Sequence, residues 1–355
     1  MTISLSKPLV GQRVRDQIFS PISEGELGQK LLREVDEFIE LSRLSQPPAA
    51  ELQLLTETSA ELAGFGVLDP FLANPEIEEI WINGVNDLWF AINGRTHRAN
   101  IELSRQTLEN LVFRLLRHSS RRVDRIHPFA DATLADGSRV HVVIPPVTAG
   151  EWVVNIRKFP SRTRTLNDLV AMEMLTETQA SELREAMLSG ANLLVSGATH
   201  TGKTTLLSAL LGELPREQRV VSIEETHELR LRNPDWVAMQ GRTEAAGDAE
   251  VIDLRRLVRE ALRMRPEYLV VGEVRGAEAL ELILAMNSGI PAAGTIHAKS
   301  AAGAISKLEL LPALAQSNLD ARFVASAVNE VLDVVVHIQA SRGQRRVREI
   351  LWPKR

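Results

Sequence analysis

The spacing of apolar positions changes character along the chain. Residues 1–21 show no sustained period, and then Leu31, Val35, Phe38 and Ile39 fall on one face at helical spacing. Ser23 stands where an N-cap belongs, so a helix is expected over about 23–44. QPPAA at 46–50 interrupts it, and a second helical stretch to about residue 63 completes a short helical extension.

From GFGVLDP at 64–70 the rhythm shortens to alternating runs, EIEEIWINGVNDLWFAINGRTHRANIEL. Asn83-Gly84 and Asn93-Gly94 mark tight turns between strands. A helix follows over about 104–118, then the strand-like RVHVVIPP and WVVNIRKFP. This mixture predicts one α+β domain over 64–160, with SRTRT at 161–165 as linker. Beyond it come continuous apolar strands at 192–196, 219–223, 235–240, 268–272 and 292–296. Helical patterns separate several of them, as in Leu254, Leu257, Val258, Ala261 and Leu262. That alternation predicts an α/β domain over 166–355, its sheet covered on both faces. LDVVVHIQASRGQRRVREILW reads as a closing hairpin that turns near Gly343.

Composition narrows the function classes. The 355 residues are 44% hydrophobic and 25% charged, ordinary globular usage. A net charge of -5 disfavours nucleic acid as a direct ligand. With no cysteine there is no disulfide, no thiolate zinc site and no cysteine nucleophile. No apolar stretch approaches the roughly 20 residues that span a bilayer, and the first residues lack a signal-peptide core. A cytoplasmic protein is expected.

The clearest chemistry lies in LLVSGATHTGKTTLL, 193–207. Gly197, Ala198, Thr199, His200, Thr201, Gly202, Lys203 and Thr204 fit G-x-x-x-x-G-K-[ST] without mismatch, and Thr205 follows. Glycines let successive backbone N–H groups turn onto phosphate oxygens, Lys203 brings charge to the β- and γ-phosphates, and the Thr204 hydroxyl joins a Mg²⁺ shell. The pattern arises by chance in about one chain of this length in a hundred. A strand before it and a helix after it make ATP the expected ligand, with His200 as solvent-facing filler. Hydrolysis also needs an acid near the attacking water. YLVVGEVRG supplies Glu273 at a strand end, with Gly272 where an aspartate is usual; pairing with Arg275 is the plainer alternative. VVSIEETHEL leaves Glu224 and Glu225 at another strand end, and AAGTIHAKS leaves His297 at a third. Whether these side chains meet depends on the strand order.

The succession of the phosphate loop, SIEETHEL, LRMRPEYLVVGEVRG and GTIHAKSAAGAISKLELL resembles the Walker A, Asp-box, Walker B and His-box of the secretion ATPase superfamily. These are motors of type II and type IV secretion and of pili. GFGVLDPFLANPEIEEIWING, HPFADATLADGSRVHVVIPP and NIRKF resemble the family's N-terminal domain, so the likeness runs from about residue 64 to the end. The chain is most similar to the tight-adherence (Flp) pilus branch. The resemblance implies a RecA-like ATPase domain behind a PAS-like α+β domain. It also implies a homo-hexamer that uses ATP and Mg²⁺ and works on an inner-membrane platform protein from the cytoplasmic face. Glu273, Glu224, Glu225 and His297 fall on the family's catalytic boxes, Thr204, Glu224 and Glu273 on its metal positions, and Arg139 and Arg157 on its phosphate-reaching arginines. The sequence departs from the family at Glu225, where aspartate is usual, at Ile290 for histidine and at Lys299 for asparagine. Three rival readings remain open: a conjugation or type IV secretion ATPase, a nucleotide switch without turnover, and a RecA-like DNA motor.

Overall fold

The computed structural model describes residues 64–117, 119, 122–159, 163–242, 251–315, 320–341 and 343–354. The expected helical extension before Gly64 and the linker residues 161–162 lie outside these. The chain separates into two compact units, Met1–Pro70 and Phe71–Arg355. In the described part of the first, a short turn at Gly66–Leu68 is held by the Phe65 N–H donating to Asp69 Oδ1 at 2.8 Å. Both sheets belong to the second unit.

The first sheet holds β1 (Ile77–Ile82), β2 (Leu88–Ile92), β3 (Arg95–Arg98), β4 (Phe129–Thr133), β5 (Arg139–Val143) and β6 (Val153–Arg157), in the order β3-β2-β1-β6-β5-β4. Every pairing in it is antiparallel. Helix α1 (Arg105–Leu116) is capped by Ser104 and buries Leu108, Leu111, Val112, Leu115 and Leu116, an i, i+3, i+4, i+7, i+8 stripe. Asn93 and Gly94 both adopt positive φ, the backbone a two-residue hairpin turn demands. Asn83-Gly84 does not form the tight turn its sequence suggests. It opens a five-residue loop in which Asn83 N–H bonds the Asp87 carbonyl, and both Gly84 and Asn86 take positive φ. Strand β4, FADAT, carries no strong apolar signal because its inward residues are Ala130 and Ala132.

Alternation in these strands decides what the sheet presents. Val140, Val142, Val154 and Ile156 point into the core, which turns Arg139 and Arg157 to the opposite face. Register places Arg139 opposite Arg157, and Arg157 opposite Glu79. One row across three adjacent strands therefore carries an acid and two guanidinium groups.

The second sheet contains β7 (Leu193–Gly197), β8 (Val220–Glu224), β9 (Trp236–Gln240), β10 (Tyr268–Val271), β11 (Ala292–His297), β12 (Val334–Ser341) and β13 (Gln344–Leu351). Its order is β13-β12-β7-β11-β10-β8-β9, parallel throughout except for the terminal hairpin β12–β13. One face is covered by α2 (Leu166–Ala171), α3 (Glu177–Leu188) and α4 (Lys203–Leu211), through Leu169, Leu183, Leu206 and Leu210. The other is covered by α5 (Leu254–Ala261), α6 (Glu278–Asn287), α7 (Ala301–Ala315) and α8 (Ala321–Val331), through Val258, Leu282, Leu308 and Val324. Strand β7 shows why its sequence is a solid apolar run: Leu193 and Val195 enter the first core, Leu194 the second. This is the RecA-like domain expected, behind an α+β domain.

The two sheets are tied by a fork. Arg345 on β13 donates from both terminal nitrogens to the two oxygens of Glu78 on β1, each at 2.7 Å.

Candidate functional site

The strand order answers the question the sequence left open. β7, β11, β10 and β8 are consecutive and parallel, so the phosphate loop, His297, Glu273 and Glu224 all leave the sheet at one carboxyl edge, where open α/β sheets place ligands. His297 lies directly opposite Gly197 in the ladder.

The loop is built from its own residues. A Cβ at Gly197 would stand 2.6 Å from the Ile338 carbonyl oxygen and 2.6 Å from Thr201 Oγ1, so only glycine fits. Gly202 sits at φ +91 as the cap of α4, a conformation glycine adopts without strain. The Ala198 carbonyl accepts from Thr201 Oγ1 at 2.8 Å and from Lys203 Nζ at 2.9 Å. His200 faces solvent with about half its side chain exposed. It takes a positive φ at the loop's tip, and its ring comes within 3.4 Å of Glu79 on β1.

A line of contacts leads away from the lysine. Lys203 Nζ donates to His297 Nδ1 at 3.2 Å, and His297 Nε2 lies 3.2 Å from Glu273 Oε1. Burial lowers the His297 pKa, and the neighbouring Lys203 cation lowers it further, so the ring is neutral near pH 7. Its Nδ1 faces an ammonium and must accept, which leaves the ring proton on Nε2, toward Glu273. Burial also lowers the lysine's pKa, with Glu273 opposing that shift. Glu273 thus pairs with the imidazole and not with Arg275. Arg275 takes up Glu225 instead, so the structure sets Glu225 apart from the Lys203–His297–Glu273 line.

Glu224 is the most buried acid of the set, with 3% of its surface exposed. Its Oε1 accepts the Glu228 and Leu229 N–H groups at 3.0 and 3.1 Å, while Oε2 has no hydrogen-bond partner and stands 3.7 Å from the equally unpartnered His227 Nδ1. Desolvation raises its pKa to about 7, against the two backbone bonds that pull it down. The departure at Gly272 now has a physical reason. A Cβ there would sit 2.8 Å from Glu224 Cγ, so the glycine makes room for an acid that arrives from the neighbouring strand.

The sequence assigns Thr204, Glu224 and Glu273 to magnesium. Among the described residues no three His, Cys, Asp or Glu side chains form a metal cage. Magnesium carried on phosphates needs none, because one or two carboxylates and the substrate's own oxygens suffice. The unpartnered Glu224 Oε2, a hydroxyl and a second carboxylate are hard oxygen donors of the kind magnesium takes, and the set fits.

Across from α4 stand the arginines. A cavity of about 100 Å³ is lined by Thr204, Thr205 and Ser208 of α4, by Arg139 and Arg157, and by Glu228 and Arg230. Arg139 donates to the Thr226 carbonyl at 3.3 Å and lies 3.4 Å from Glu228 Oε1, and Arg157 lies 3.4 Å from the same oxygen. Burial lowers the pKa of Arg139, though a guanidinium stays charged at any physiological pH. Glu228 was not singled out from the sequence. The signal was its place in SIEETHEL, four residues after Glu224. Lys307, which donates to the His297 carbonyl at 3.0 Å, was also missed.

Comparison with known proteins agrees with this geometry. The family model described as "Type II/IV secretion system protein" matches residues 61–348. The type IV secretion system protein PtlH of Bordetella pertussis is 31% identical, over 80% of this chain and 93% of that protein. The conjugal transfer protein TrbB of Rhizobium radiobacter is 35% identical, over 61% of this chain and 64% of that protein. Among solved structures, the ATPase DotB of Yersinia pseudotuberculosis superposes with a TM-score of 0.61 at 18% identity, covering 81% of this chain and 78% of that one. The pilus retraction motor PilT with bound ADP gives 0.56 at 16%, over 81% and 82%; both likenesses concern the fold. The phosphate loop, the acids gathered at one sheet edge and the arginine-bearing domain before them are those of a type II/IV secretion system protein, and to that family the chain belongs.

Proposed function

We propose that this chain is the ATP-hydrolysing motor subunit of a pilus-assembly or secretion machine. The observation that carries the reading is the line Lys203–His297–Glu273 at the carboxyl edge of the sheet, with Arg139 and Arg157 lining a cavity beside Thr204 and Thr205 of the same phosphate-loop helix. Lys203 and the loop amides bind the β- and γ-phosphates. Glu273 accepts the proton of the attacking water, and His297 orients it from Nε2. Glu224 and Thr204 would hold magnesium, which would supply positive charge to the phosphates. Arg139 and Arg157 stabilise the charge that develops on the transferred group. Glu225, engaged by Arg275, keeps only a supporting place. Closure of the arginine row on bound ATP and its opening on release convert hydrolysis into domain movement.

The subunit works in a closed ring of six on the cytoplasmic face of the membrane, against a platform protein embedded there. Among the described residues no helix is long and apolar enough to cross a membrane. The resemblance to the tight-adherence branch supports pilus assembly, although the boxes themselves do not separate it from other secretion motors. A second reading, transport of protein or DNA by a type IV secretion or conjugation machine, is favoured by the names that PtlH and TrbB carry.

The test is turnover measured beside sedimentation. ATP hydrolysis should rise with protein concentration and level off as rings form, and Lys203→Ala should abolish it. Full activity in a monomer, independent of concentration, would replace the ring motor with a monomeric enzyme. Nucleotide binding with no turnover at any concentration would leave a switch.

A further inference from the structure

Glu228 occupies a position the proposed chemistry does not explain. One of its oxygens, Oε1, stands 3.4 Å from Arg139 Nη2 and 3.4 Å from Arg157 Nη1. Its side chain is 21% exposed, less than either guanidinium. Its backbone N–H is spent on Glu224, so the carboxylate is anchored at the root. The two arginines face each other in register on β5 and β6, where like charges repel. A single anionic oxygen between them offsets that repulsion and converges both on one point beside Thr204 and Thr205 of the phosphate-loop helix.

An anionic oxygen held by two guanidinium groups is what a phosphate oxygen would become in the same place. We infer that Glu228 is a built-in substitute for a nucleotide phosphate. Without nucleotide it holds Arg139 and Arg157 aimed at the site. An arriving polyphosphate takes over both arginines and frees Glu228. The residue therefore weakens ground-state binding, because phosphate must compete with it, and speeds turnover, because the arginines are already oriented. It is a positioning residue that acts through the arginines, and the inference rests on the nucleotide reading of the site.

The experiment measures the affinity of a non-hydrolysable ATP analogue by calorimetry and kcat by phosphate release, for the full chain and for two variants. Glu228→Gln keeps the shape and removes the charge. It should bind the analogue about three- to tenfold tighter and turn over about tenfold more slowly. Glu228→Asp keeps the charge but shortens the reach to the arginines, and should shift both quantities in the same directions by less. It also serves if the glutamine variant does not fold. Unchanged or weaker affinity in a folded variant overturns the substitution and makes Glu228 an ordinary interdomain ion pair. Tighter binding in Glu228→Gln with none in Glu228→Asp overturns it in favour of simple charge repulsion. Wild-type protein that binds no analogue overturns the nucleotide reading itself, and this inference with it.

Discussion

Lys203 finds its anchor five residues away, on the carbonyl of Ala198 within its own loop, whereas Arg139 reaches 87 residues along the chain to Thr226. The phosphate-loop side combines bonds within the loop with contacts between neighbouring strands of one sheet, as in the line from Lys203 to His297 and Glu273. The arginine side stands on a different sheet and meets the site through Glu228, Thr226 and the cavity wall, while Glu79 of the same row meets His200 of the loop. On the proposed function, a half held within one sheet would be in place before any ligand comes, whereas cross-domain contacts would be redistributed when the domains shift. The loop would then account for binding, and the arginines for coupling binding to movement.

That division can be broken by mutation. Arg157→Ala should lower kcat about a thousandfold, the scale of a missing arginine finger, while nucleotide affinity changes much less. If thermal stability falls and specific activity stays, Arg157 serves only the interface with Glu228, and the contrast between the two sides fails. Glu273→Gln tests the pre-formed side. It should retain ATP binding and lose about a hundredfold in hydrolysis, as expected for a lost general base. Equal single-turnover rates for variant and wild type would move the base to Glu224.

Glu224 gives a pH test. Its folded pKa is raised from 4.5 to about 7, so the folded chain keeps a proton that the unfolded chain releases. The resulting stability is fully present below about pH 4.5 and is lost as pH rises through 7, in total on the order of 3 kcal/mol. Glu224→Gln should accordingly flatten the fall in melting temperature between pH 5 and 7.5. A slope equal to wild type would show that the carboxyl is solvated and carries no such linkage. The smallest effect belongs to the fork between the sheets. Arg345→Ala removes a bidentate, partly exposed pair with Glu78, worth about 1 kcal/mol, and should lower the melting temperature by about 1–2 °C. No shift in a careful scan would mean that the sheets are held together by other contacts.

The local side of the site was also the side legible in the sequence. Gly197 to Thr205 could be named outright because glycine, lysine and threonine at that spacing have one obvious use, and the strand and helix around them follow from apolar runs. Glu273 and His297 could be nominated as strand ends, but their meeting depended on β11 lying between β7 and β10, which no local pattern encodes. The arginines came from resemblance alone, because their shared face is set by β5 pairing with β6 and β6 with β1, some seventy residues apart in sequence. Glu228 stood inside a quoted motif and passed unnoticed, since its partners lie in the other domain. Strand β4 escaped because two alanines make a faint alternation. The Asn83-Gly84 turn misled because the dipeptide favours a two-residue turn while the loop closes only at Asp87.

Gly272 lets the site's negative charge be counted by place instead of by strand. The space a side chain would claim there is already taken by Glu224 Cγ, so the two positions form one allotment of volume that a single residue can fill. Neither can be redesigned alone. An aspartate at 272 with a small residue at 224 would hand the acid back to β10, whereas an aspartate at 272 beside Glu224 would crowd two carboxylates into one berth. For anyone altering this protein, the unit of substitution at the sheet edge is the pair.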